Sequence, residues 1–150
     1  MKKRTGDPWM PADAYGRSLT GVGVNVVVDE VARSVAFLTE VLGVEEVYSD
    51  PDIGVLRHDG CDVLVHAEHT YMDDGGVAGP FLARCRAADR RGAGVELRLY
   101  GIDPDAAETR ARARGDQVLA PSADKPHGLR ECYIVDPDGY VWVPGAALPA

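Results

Sequence analysis

Apolar positions along this chain switch between two spacings. VGVNVVV (22–28) is a valine-rich run that predicts a strand. The next apolar residues, Val31, Val35, Leu38 and Leu42, share one helical face, and Gly43 follows as a stop. EEVYSD, IGVLRHDG and CDVLVHAEH then predict three short strands, parted by the turn signals SDPD and HDG. The second half gives the same order. GVELRLYG (94–101) reads as a strand. DPDAAETRARARG reads as a helix, with Asp103 as N-cap, Pro104 at its first position and Gly115 as its stop. QVLAP, LRECYIVD and YVWVP read as strands, SADKPHG as a loop and PDG as a turn. Between the halves, DDGG reads as a loop and PFLARCRAADRRG as a short helix with a solvated basic face. Residues 1–20, with Pro8, Pro11, Trp9 and Tyr15, read as an extended arm. A tryptophan in an arm is expected to dock on the body or on a partner subunit; a mobile tail is the alternative.

The two halves also echo each other in letters. GVGVN starts at Gly21 and GAGVE at Gly92, which lays Asn25 over Glu96. From Asn25 to the helix stop Gly43 is 18 residues, and from Glu96 to Gly115 is 19. HDG before CDVLV matches PDG before YVWV. Order, spacing, stop and turn together indicate an internal repeat of a βαβββ unit. The expected layout is an arm over 1–20, then one domain over 21–145. That domain has modules at 21–69 and 92–145, joined by 70–91.

Composition narrows the function classes. The 150 residues carry a net charge of -8, which argues against nucleic acid as partner, since phosphate binding needs a basic face. No apolar run approaches a membrane span. The basic start MKKRTGDPW has no apolar segment behind it and does not read as a signal peptide. Cys61, Cys85 and Cys132 are odd in number and lack CxxC spacing, as expected of reduced thiols in a cytoplasmic protein.

A duplicated βαβββ unit resembles the vicinal oxygen chelate superfamily, which includes glyoxalase I, extradiol dioxygenases, and fosfomycin- and bleomycin-resistance proteins. NVVVDEVARSVAFLTEVLG is similar to the family's first strand, helix and Leu-Gly stop. HGLRECYIVDPDGYVWV is similar to its closing hairpin. The resemblance implies an α+β fold: two tandem βαβββ modules whose curled mixed sheets form a cup with helices outside, often as a homodimer. It also implies metal ligands at four places, on the first and last strand of each module. Here those places are Asn25 (or Gly23 in a slipped register), Leu64, Glu96 and Val143. Leucine and valine have no lone pair to give, and one carboxylate does not hold a catalytic divalent metal. The expectation is therefore no cofactor; an atypical metal set of His66, Glu96 and His69 is the alternative.

Strand alternation puts Asn25, His66, Glu96, Arg98 and Tyr100 on the inward face, with Leu97 and Leu99 toward the helices. Tyr140 and Trp142 are expected near the rim. Lys125, His127, Arg130 and Glu131 are expected to overhang the cup, and Cys132 to be core. Glu96 and Arg98 suit an ion pair. Glu96 and His66 are also the candidates for acid–base chemistry on a ligand held by Asn25, Arg98, Tyr100, Tyr140, Trp142, His127 and Arg130. Three readings follow: a metal-independent binder of a small organic molecule, a lyase-, isomerase- or dioxygenase-like enzyme, or a structural dimer with a filled cup.

Overall fold

The structure, a computed structural model, describes residues 9–71, 79–88 and 91–150. The DDGG loop lies outside them. The fold is α+β, with two four-stranded mixed sheets. The elements in chain order are α1 (Ala12–Ser18), β1 (Val24–Val28), α2 (Val31–Glu40), β2 (Glu45–Ser49), β3 (Ile53–His58) and β4 (Cys61–Ala67). A 3-10 turn (Glu68–Tyr71) and α3 (Gly79–Ala87) follow, then β5 (Glu96–Tyr100), α4 (Pro104–Arg114), β6 (Gln117–Asp124), β7 (Leu129–Val135) and β8 (Val141–Ala147). The strand orders are β1-β4-β3-β2 and β5-β8-β7-β6, the same topology twice. Two compact units result. One takes the chain up to Val35 with Val44–Ala88, the other Ala36–Gly43 with Asp89–Ala150.

In the first unit, β1 pairs parallel with β4, Asn25 opposite Leu64 and Val27 opposite His66. Gly54 on β3 faces α2: a side chain there would meet Val35 at 2.9 Å. The α2 side of the sheet is thus closely packed, and the buried valines 26, 28, 63 and 65 fill it. The HDG turn is a tight hairpin, with Asp59 at φ 48 and Gly60 at φ 77.

The other face of this sheet holds the first departure from expectation. Residues 12–18 are a helix, not an extended arm. The Tyr15 hydroxyl donates to Asp62 at 2.8 Å, and Trp9 packs 5.1 Å from both Tyr15 and Tyr48. Asp62 is two residues from Leu64, and Tyr48 pairs with Val55, which pairs with Leu64. The arm therefore lies on the face that carries Asn25 and His66.

In the second unit α4 begins and ends as its sequence predicts. Asp103 accepts from the Asp105 and Ala106 amides, Pro104 follows it, and Gly115 ends the helix at φ 85. Arg110 on α4 reaches back to the Val41 carbonyl at the end of α2, 2.9 Å away. Cys132, Ile134 and Trp142 are buried on the α4 side, and burial pushes the Cys132 thiol up to about 11. Asp136, the first residue of DPDG, accepts from the Trp142 indole at 2.8 Å and from the Asp138 and Tyr140 amides at 2.9 Å. One buried carboxylate thus fixes both the last turn and the tryptophan beneath it. β6 extends through Asp124, into the segment expected as a loop. A register shift between Ala120 and Ala123 accommodates Pro121, which has no amide hydrogen to give the ladder.

Burial first, and then the Asp62 carboxylate, raise the Tyr15 phenol from 10.0 to about 12. A phenol that ionises at lower pH when undocked favours docking below pH 10.0, and that advantage is lost as pH rises through about 12. Trp9 fluorescence should therefore stay constant to about pH 10 and then report release of the helix; in Tyr15→Phe it should show no such step.

Candidate functional site

The two ladders can be read against each other. Asn25 faces Leu64, four residues after Gly60, and Arg98 faces Val143, four residues after Gly139. Glu96 faces Val141 instead. The structural twin of Asn25 is therefore Arg98, and Glu96 is the twin of Gly23. The helix starts agree: α2 begins six residues after Asn25, and α4 six after Arg98. The letter echo misplaces the register by two residues, and its cause is local. In GAGVE a second turn intervenes, with Gly94 at φ 79 and the Val95 amide donating to Gly92. Gly23 makes no such excursion. Gly92 is also held close under Tyr140, whose ring carbon would lie 2.7 Å from an added side chain.

The corrected set of four places is Asn25, Leu64, Arg98 and Val143, with no carboxylate and one fixed cation. Such a set does not fit a divalent metal. Two members of the alternative trio are already paired within their own units. His69 Nε2 meets the buried Asp52 at 2.6 Å, and Glu96 is paired with Arg98 at 2.6 Å. His66 and Glu96 belong to different units. Among the described residues, no group of three or more His, Cys, Asp and Glu is placed to hold a metal.

In the first unit, Asn25 is fully engaged. Its amide oxygen meets His66 Nδ1 at 2.5 Å, and its nitrogen donates to the Tyr71 hydroxyl at 2.8 Å. Tyr71 also stacks edge-on against His66 and lies 5.8 Å from Phe81. Tyr71 is absent from the sequence-derived site because the 3-10 turn that returns it to β1 has no strand periodicity to reveal it.

The second unit assembles a denser cluster on the face away from α4. Arg98 donates to Glu96 and, through its other terminal nitrogen, to Glu131. Glu131 faces Gly145, the ladder partner of Tyr100, so Glu131, Tyr100 and Arg98 share one face. Gly145 makes room for it: a side chain there would crowd Glu131 Cγ at 3.3 Å. Glu131 is 1% exposed, and nothing among the described residues donates to its Oε2. His127 Nε2 lies 3.1 Å from Glu131 Oε1. Burial opposes ionisation of Glu131, but the bonds and charges of His127 and Arg98 outweigh it and hold the carboxyl below its usual range. The Glu131 carboxylate first, and bonds to Glu96, Tyr133 and Tyr100 after it, raise the Arg98 guanidinium against its own desolvation. Lys125 lies over the Tyr133 ring, 5.6 Å from its centre.

Two sequence-derived site residues lie elsewhere. Trp142 is 1% exposed and opposite Leu97, on the α4 side rather than at a rim. Arg130 also points to α4, where Asp105 and Asp124 bind it at 2.5–2.8 Å. Glu131 and Tyr133 hold the face expected for Arg130, because strand neighbours alternate. Tyr133 was missed, although its two-residue spacing from Glu131 was the available signal.

Residues 22–143 match the Glyoxalase/Bleomycin resistance protein/Dioxygenase superfamily. The chain belongs to this superfamily. Solved structures agree on the fold. A glyoxalase-related enzyme from Fulvimarina pelagi is 23% identical with TM-score 0.66, over 85% of this chain and 87% of that one. The fosfomycin resistance protein FosX from Listeria monocytogenes is 16% identical with TM-score 0.59, over 86% and 94%. Lactoylglutathione lyase from Agrobacterium tumefaciens is 18% identical with TM-score 0.60, over 85% and 92%. No curated protein sequence matches the chain. Such different activities on one fold leave the function to the site.

The register has a direct check. Arg98→His with Val143→Glu puts two ligand types side by side on paired strands, and should create a binding site for Zn or Ni seen by calorimetry. Glu96→His with Val143→Glu should not, because those residues are not ladder partners.

Proposed function

We propose that this superfamily member binds a small organic molecule on the Arg98–Glu131 face of its second unit, without a catalytic metal. The observation that carries this reading is the arginine at a place where metal-dependent relatives are expected to hold a ligand. A fixed guanidinium there brings its own positive charge and repels a metal cation. Its carboxylate partner supports the same reading, since Glu131 Oε2 is a buried acceptor to which no described residue donates. A ligand hydroxyl or ammonium would complete it. The cluster holds one arginine against two carboxylates, and the chain carries a net charge of -8. Both features favour an amine over an acid. Tyr100 and Tyr133 provide ring surface beside the polar centre.

The enzymatic alternative built on Glu96 and His66 is less favoured, since the nearest partners of these residues are Arg98 and Asn25 respectively. Calorimetric titration with small arylalkyl amines, protonated at neutral pH, and with matched carboxylates tests the proposal. Amines should bind at least about tenfold more tightly, a difference of about 1.4 kcal/mol. Chelator treatment should leave affinity unchanged, and Glu131→Gln should weaken it. Preference for carboxylates, or affinity that returns only with added metal, would sink the reading.

A further inference from the structure

Arg98, Glu131 and His127 form a chain of contacts from a buried pair to an exposed imidazole. Glu131 is 1% exposed at its side chain and His127 55%. With Nε2–H donating to the carboxylate, Nδ1 carries the lone pair, and nothing among the described residues occupies it. A carboxylate behind an imidazole fixes its tautomer and stabilises the imidazolium once a proton is taken up. Tyr133 lies two residues along β7 from Glu131, on the same face, and its hydroxyl is a second hydrogen-bonding group there. The face thus offers a base and a hydrogen-bond donor on either side of Glu131.

Solvent access selects the chemistry. Carbanion intermediates need water kept out, and an imidazole this exposed cannot keep it out. A reaction that consumes water suits it. We propose that His127 is a general base for hydrolysis of small esters, with Glu131 as its positioning residue and Tyr133 as donor to the ester carbonyl. This rests on the reading that the Arg98–Glu131 face takes a small molecule. His127 Nδ1 removes a proton from water as the water oxygen bonds to the acyl carbon. The carbonyl electron pair moves to the oxygen facing Tyr133. When that pair returns, the bond to the leaving oxygen breaks, and the imidazolium proton passes to it. The products are an acid and an alcohol, and no further reactant is needed. An ammonium on the acyl side would meet Glu131 Oε2, to which no described residue donates, so the favoured substrates are esters of amino compounds.

The probe is p-nitrophenyl glycinate, followed by release of p-nitrophenol. His127→Gln, a change at an exposed side chain, should lower kcat at least about a hundredfold, the lower end of what a positioned base contributes. Tyr133→Phe should also lower kcat. Glu131→Gln should lower kcat and raise KM for this amino ester; with p-nitrophenyl acetate, which has no ammonium, it should lower kcat with less effect on KM, which general loosening of the site would not produce. Wild-type hydrolysis no faster than that of His127→Gln overturns the proposal. Glycine 4-nitroanilide, measured by calorimetry, separates this failure from that of the binding reading. If the anilide binds but His127 is immaterial to turnover, the base assignment falls alone. If the anilide does not bind, both fall.

Discussion

The second unit is organised around one ion pair, that of Arg98 with the buried Glu131. A carboxylate with 1% exposure is costly to bury unless a cation and hydrogen bonds compensate it. The surroundings follow from that requirement. Arg98 comes from β5 and Glu131 from β7, so β8 must pass between them. It does so with Gly145, whose lack of a side chain leaves the space that Glu131 fills. His127 adds a second contact from the turn before β7, and Glu96 takes the remaining arm of the guanidinium. Apolar packing on the α4 side, with Trp142 fixed to Asp136, supplies the rigid floor under this polar face.

The duplicated topology makes the divergence of the two units legible. The same ladder place holds Asn25 in one and Arg98 in the other. In the first unit the amide is used internally, linking His66 to Tyr71, and the N-terminal helix lies over the same face. In the second unit the same place became a cation with a buried counter-charge. Neither solution supplies the pairs of His or Glu ligands that a divalent metal requires. The fold has been kept while the chemistry at its equivalent positions has changed.

Most of the architecture could be read from local signals. The α4 cap, its proline and its terminal glycine are chemistry confined to a few neighbours, and they predict both helix ends. The succession of strands and helices along the chain followed from spacing. The register did not, because matching letters in GVGVN and GAGVE take different backbone paths once Gly94 enters a left-handed turn. The extra turn shifts the following strand by two, a step that preserves which face each residue occupies. For that reason the inward face of β5 was read correctly while its ladder partner was not. Arg130 shows the opposite error: a one-residue choice on β7 moves a side chain to the other side of the sheet. The helix at Ala12–Ser18 was hidden by flanking prolines and by the absence of a repeated apolar face. Tertiary contacts with Asp62 and Tyr48 hold it, and these have no local signature.

A double-mutant cycle on Arg98→Met and Glu131→Leu, followed by denaturant unfolding, probes the ion pair itself. Each single change should cost about 2 kcal/mol or more, by leaving a partner charge uncompensated. The double change should cost clearly less than the two together, because two apolar side chains can replace a pair where neither can replace one member. Additive losses, or single changes without effect on stability, would show that the pair is not what this face of the second unit depends on.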